Sequence, residues 1–204
     1  RYARAGRLVE VTSLMANLYR DPDVTSARPR VQAPLATRLE VAAEGPSSRW
    51  LSVRLPSRDT AWVQRGDVRE VDASTPPARG TPLQVIATAR RFLGVPYLWG
   101  GMTAHGIDCS GFVSRVYHAH GVRRRGDAHL QYEAPGTAWV SRDDLAPGDL
   151  VFFGRDAWDI THVGLYLGDG RFVNATTHET PVVREDRLDD PHWAAIYQGA
   201  RRPR

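Results

Sequence analysis

Apolar and polar residues alternate in short runs over the first third of the chain, and the period then lengthens to that of a helix. Val9-Glu10-Val11 and Ala16-Asn17-Leu18-Tyr19 lead into the turn signal Asp21-Pro22-Asp23. Arg38-Leu39-Glu40-Val41 alternates until Glu44-Gly45-Pro46-Ser47-Ser48 interrupts it. Trp50-Leu51-Ser52-Val53-Arg54-Leu55 places Leu51, Val53 and Leu55 on one face, and Pro56-Ser57-Arg58-Asp59 turns the chain into Ala61-Trp62-Val63-Gln64. Short strands at this spacing predict a small all-β barrel over residues 1–72. It has no catalytic constellation of its own and reads as a support or recognition module. Residues 73–81, with Pro76 and Pro77, have the composition of a stiffened linker.

A second domain over residues 82–204 opens with a helix. Thr81 is its N-cap, Pro82 its first residue, and Thr81 with Gln84 forms a capping box. Leu83, Ile86, Ala87, Arg90 and Leu93 recur at helical spacing for packing, and Gly94 ends the segment. The glycine-rich loop Val95-Pro96-Tyr97-Leu98-Trp99-Gly100-Gly101 then runs toward a second helix, capped by Asp108 and begun by Cys109. Phe112, Val113, Val116 and Tyr117 form its inward stripe, and Gly121 terminates it. Further on, Thr161–Leu167 alternates as a strand, Gly168-Asp169-Gly170 turns, and Arg171–Ala175 returns.

Composition narrows the classes. With 204 residues, 42% hydrophobic and 25% charged, the chain can bury a core in one large or two small domains. No apolar run approaches the ~20 residues of a membrane span. The chain begins Arg1-Tyr2-Ala3-Arg4, without Met or a signal segment, and reads as processed or trimmed. All 27 basic residues are arginine, which we read as coding bias. The net charge of +4 is spread along the chain rather than focused in a stripe, which argues against nucleic acid and suits an anionic polymer such as a bacterial envelope. One cysteine excludes an internal disulfide and a cysteine-rich zinc site.

That cysteine carries the candidate chemistry. At a helix start, backbone N–H groups and the helix dipole favour the thiolate. The flanking glycines and the polar Asp108 and Ser110 argue against a buried apolar role. A thiolate nucleophile needs a base, and the base needs an orienting partner. Of seven histidines, His118 and His120 read as surface or helix-end residues, and His105, His129, His178 and His192 as loop residues. His162 opens the alternating strand. If Gly168-Asp169-Gly170 is a three-residue loop, Leu167 pairs with Arg171 and Gly164 with Asn174. Asn174 then shares a face with His162, at roughly 7–8 Å between backbones, and Gly164 leaves the room between them. A two-residue Asp-Gly turn would put Asn174 on the opposite face. Cys109, His162 and Asn174 thus compose a Cys/His/Asn set of papain-like roles, with the Cys109 N–H as an oxyanion donor.

The blocks Pro96-Tyr97-x-Trp99-Gly100-Gly101, Gly106-x-Asp108-Cys109-Ser110-Gly111-Phe112-Val113, Leu145-x-Pro147-Gly148-Asp149-Leu150-Val151-Phe152-Phe153 and His162-Val163-Gly164-x-Tyr166-x-Gly168-x-Gly170 resemble the NlpC/P60 cysteine peptidases in order and spacing. The first 72 residues resemble a bacterial SH3-like domain. The resemblance implies an α+β, papain-like catalytic domain, with the cysteine helix packed on a small antiparallel sheet, behind an SH3-like barrel. It implies hydrolysis of the γ-D-Glu–diamino acid bond in peptidoglycan stem peptides with a free N-terminal L-Ala, without a cofactor or metal. Tyr97, Trp99, Asp108 and Ser110 are then substrate-binding residues, with Asp108 holding the substrate's amino group. The implied location is the cell envelope or outside the cell, with a cytoplasmic recycling role as an alternative, and no membrane insertion. Two departures stand out. Asn174 replaces the second histidine of many members, and no acid of the first domain (Asp21, Asp23 or Glu44) is singled out for substrate. Three rivals are a papain-like amidase or acyltransferase, a non-catalytic wall-binding protein, and a metal site of His105, Asp108 and Cys109.

Overall fold

The computed structural model of the chain describes residues 2–3, 6–74 and 77–203, so Thr75 and Pro76 of the expected linker lie outside the described residues. The chain divides into two compact units, Arg1–Pro77 and Ala78–Arg204.

The first unit is all-β. Strands β1 (Leu8–Val11), β2 (Met15–Tyr19), β3 (Pro29–Pro34), β4 (Arg38–Glu44), β5 (Trp50–Arg54), β6 (Thr60–Gln64) and β7 (Val68–Val71) form one antiparallel sheet in the order β3-β2-β6-β5-β4-β1-β7. Six of them supply one core, including Val9, Leu18, Ala33, Leu39, Val53 and Val63. The unit's helical structure among the described residues is a 3₁₀ turn at Arg65–Asp67, so burying that core requires the sheet to curl on itself. Leu51, Val53 and Leu55 face inward as the alternation predicts. The sequence pattern missed β3, bracketed by prolines and mostly exposed, and β7, which buries none of its residues.

The second unit is α+β. Helix α1 (Pro82–Arg90) has both arms of its capping box: Thr81 N–H donates to Gln84 Oε1 at 2.8 Å and Gln84 N–H to Thr81 Oγ1 at 3.3 Å. Its buried stripe is Val85, Ile86 and Ala89, continued by Phe92 just past its end, and not the expected one: Leu83 is 75% exposed. The two stripes share Ile86 but run down different sides of it. Two short strands, β8 (Met102–Thr103) and β9 (Gly106–Ile107), precede α2 (Cys109–His118). Helix α2 buries Phe112, Val113, Val116 and Tyr117 as predicted and packs on the sheet and on α1.

After α3 (Ala128–Tyr132) come β10 (Thr137–Val140), β11 (Leu150–Gly154), β12 (Ile160–Gly168), β13 (Arg171–Thr176), β14 (Val182–Arg187), α4 (Pro191–Ile196) and β15 (Tyr197–Pro203). The six strands form an antiparallel sheet in the order β10-β15-β11-β12-β13-β14, so the last strand inserts between β10 and β11. Phe153, Phe172 and Trp193 pack in the cluster on one side of this sheet. His129 and His192, expected in loops, lie on α3 and α4. No helix among the described residues is long and apolar enough to cross a membrane.

Candidate active site

The site is assembled at the start of α2. Asp108 is extended and caps the helix: its Oδ1 accepts from the Gly111 N–H at 2.6 Å and the Ser110 hydroxyl at 2.9 Å. Its Oδ2 accepts from the Gly100 N–H at 2.8 Å, which ties the glycine-rich loop to the helix. The approach is close. A Cβ on Gly111 would sit 2.3 Å from the Gly101 carbonyl oxygen, so a larger residue there would push the loop away.

Cys109 follows, 7% exposed. Its sulfur lies 4.0 Å from the Thr161 carbonyl oxygen and within reach of the Val163 N–H, against the backbone on both sides of His162. Burial works against the thiolate expected at a helix start. Burial pushes the thiol up from its ordinary 9.0 to about 12, outweighing the N–H groups of Val163, Ser110 and Cys109 that favour the charged form. Cys109 is also buried, against the expectation drawn from its glycine and polar neighbours, because the helix start abuts the interior strand β12.

His162 Nε2 lies 2.8 Å from Asn174 Oδ1. The hairpin reaches this register by an unexpected route. The chain reverses through two residues, Asp169 and Gly170, both at positive φ (53° and 71°), with Gly168 opposite Arg171. A register shift between Tyr166 and Gly168 leaves an extra residue, Leu167, in β12. The bulge restores what the shorter turn removes, so Leu165 pairs with Val173 and, one step on, Gly164 lies opposite Asn174. A Cβ on Gly164 would meet the Phe172 ring at 2.5 Å and Asn174 Cβ at 3.3 Å.

The His162 ring is walled by Trp193, stacked at 5.1 Å between centroids, and by Phe153 at 5.8 Å. Burial pulls the imidazole down from 6.5 to about 4, against the opposing pull of Asn174 and Asp186. Burial thus favours the neutral form of both the thiol and the imidazole.

The expected substrate residues separate. Tyr97, half-buried, has its hydroxyl pushed up to about 12 by burial and by the nearby Cys109 and Asp108. Its backbone N–H donates to the Pro181 carbonyl at 2.8 Å, which fixes the loop on the approach to β14. Trp99 is 85% exposed. Ser110 is buried, and its hydroxyl sits 2.8 Å from the Gly126 carbonyl oxygen as well as near Asp108, turned into the fold. In the first unit, Asp23 accepts from Thr25 and Ser26, and Glu44 from Arg7 and Arg65, so both carboxylates are engaged locally. Among the described residues, no group of three His, Cys, Asp or Glu side chains is placed to hold a metal.

Three features escaped the sequence reading. Asp186 accepts from Asn174 Nδ2 at 2.8 Å and sits two residue pairs from it across β13–β14, opposite Phe172; nothing in the local pattern marks it. Trp193 covers His162 from α4, a helix that Asp190-Pro191 did signal as an N-cap followed by proline. His178 and His192 stack at 3.8 Å between centroids beside Trp193, bringing two distant segments to the rim.

Residues 94–202 match the NlpC/P60 family. Over 200 residues the chain is 34% identical to a γ-D-glutamyl-L-lysine dipeptidyl-peptidase of Bacillus cereus, covering 95% of this chain and 57% of that protein. Over 110 residues it is 39% identical to the murein DD-endopeptidase MepS/murein LD-carboxypeptidase of Escherichia coli, covering 53% of this chain and 56% of that one. Its fold is similar to the crystal structure of an NlpC/P60 family protein from Bacillus cereus, with a TM-score of 0.83 and 30% identity over 96% of this chain and 63% of that one. The chain thus spans under two thirds of the length of these relatives.

Proposed function

We propose, starting from the fact that the chain belongs to the NlpC/P60 family, that it is a cysteine peptidase of the bacterial cell wall. Its substrate is the peptidoglycan stem peptide, and the bond it breaks joins γ-D-Glu to the following diamino acid. One observation carries this reading: the Cys109 sulfur abuts the backbone flanking His162, whose ring is held by Asn174 at 2.8 Å.

In the proposed reaction, His162 takes the thiol proton as the Cys109 sulfur attacks the γ-carbonyl carbon of D-Glu. Because Nε2 is engaged by Asn174, the receiving atom is Nδ1. The oxyanion forms beside the first N–H groups of α2, with the Cys109 N–H as donor. His162 then returns the proton to the leaving amine, the C–N bond breaks, and a thioester remains. Water attacks the thioester with His162 as base, releasing the γ-glutamyl acid and the thiol.

Starting from two neutral partners suits a buried site, since no charge pair has to be maintained before substrate arrives. Asp108 carries two tasks. Its three recorded donors cap α2 and hold the loop, and the remaining lone-pair capacity of Oδ2 is available to a substrate ammonium. Tyr97, close to Cys109 and Asp108, and the exposed Trp99 are the side chains proposed to meet the rest of the peptide. Ser110 acts through its N–H beside the sulfur rather than through its hydroxyl. The first unit is proposed as an SH3-like module, and the site of action as the cell envelope or the exterior.

Defined muropeptides digested by the purified chain and read by mass spectrometry test this reading. Release of L-Ala-γ-D-Glu from peptides with a free N-terminal L-Ala is expected. Turnover of lipid esters, with stem peptides left intact, would instead favour the acyltransferase class.

A further inference from the structure

Asn174 is completely buried, and its amide could be placed with oxygen or nitrogen toward His162. Its surroundings decide. On the far side of the amide lie the Asp186 carboxylate, Oδ2 at 2.8 Å, and the Arg184 carbonyl at 3.3 Å. Both accept and neither donates, so the amide NH₂ must face them and Oδ1 must face His162. Oδ1 is also an acceptor only, so His162 Nε2 must carry the hydrogen. A neutral imidazole has a single N–H, which leaves the lone pair on Nδ1.

The carboxylate in this chain of contacts is held in place. Arg184 donates to Asp186 Oδ1 from Nε at 2.9 Å and from Nη2 at 2.5 Å, and its Nη1 reaches Glu179 at 2.8 Å. The Asp186 side chain is 8% exposed, so water competes little for its oxygens. The charge of Asp186 also favours the imidazolium that forms when His162 takes a proton.

We propose that Asp186 is a positioning residue. It orients the Asn174 amide and so imposes the Nε2–H tautomer of His162, leaving Nδ1 as the base. This inference rests on the peptidase reading, but its primary readout does not require turnover.

The experiment is ¹⁵N NMR of the histidine rings in the full chain near neutral pH, for wild type and Asp186→Asn, with circular dichroism to establish that both are folded. Asparagine at 186 preserves shape but offers an N–H that lets the Asn174 amide reverse. The expected result is a single Nε2–H tautomer of His162 in wild type and the appearance of the Nδ1–H form in the variant. On a stem-peptide substrate kcat falls by about 100-fold with KM nearly unchanged, the scale of a mispositioned reacting group. A folded variant that keeps the Nε2–H tautomer alone, or keeps wild-type kcat, overturns the proposal. If wild type cleaves no stem peptide, the peptidase reading fails while the ring spectra still decide the role of Asp186.

Discussion

Cys109 combines two opposing influences, and their balance fixes how it should behave. The first turn of α2 and the Val163 N–H favour a thiolate, whereas 7% exposure favours the neutral thiol, and burial dominates. Burial of both groups therefore favours a thiol beside a neutral imidazole over a standing ion pair. Iodoacetamide should modify native Cys109 slowly near neutral pH, with a rate that climbs steadily above about pH 8 as thiolate forms. A fast reaction that plateaus below about pH 6 would mean a preformed thiolate–imidazolium pair and contradict this account. His162 is tuned the same way. The cover that Trp193 and Phe153 provide lowers its pKa, while Asn174 and Asp186 draw it back up.

The β12–β13 hairpin is the element on which the site depends. A side chain at Gly164 would enter the Phe172 ring and press on Asn174, so Gly164→Ala should overpack the sheet by about 1–3 kcal/mol. The same substitution should lower kcat by displacing the amide that holds His162. A denaturant melt and a turnover assay check both, and wild-type values in each would refute the role given to this glycine. The hairpin also shows why part of the site was legible in sequence. Period-2 alternation and a required orienting partner selected Asn174 opposite Gly164. The turn itself differs from the expected one, because Asp169-Gly170 and a bulge at Leu167 together give the same register as a three-residue loop. Asp186 was not legible: its place depends on how β14 pairs with β13, and Arg184-Glu185-Asp186-Arg187 looks like a solvated strand edge. The buried stripe of α1 was also misread, since Leu83 and Val85 both fit a helical period and tertiary packing chose Val85.

The whole molecule consists of two units, each with its own core. The all-β unit follows from alternation and turn residues, except where β3 and β7 carry too few buried apolar positions to announce themselves. The α+β unit follows from helix caps and from spaced glycine-rich blocks, because close approaches such as Gly111 to the Gly101 carbonyl tolerate little else. The order of its sheet was not legible, since β15 is largely polar and reaches its place between β10 and β11 through long-range pairing. Cleavage of stem peptides by this unit is proposed to run through the Cys109 sulfur. Turnover of L-Ala-γ-D-Glu-diamino acid peptides by Cys109→Ala, compared with wild type under the same conditions, tests it most directly. Wild type is expected to release L-Ala-γ-D-Glu and the folded variant none; full turnover by Cys109→Ala would rule out attack by the sulfur.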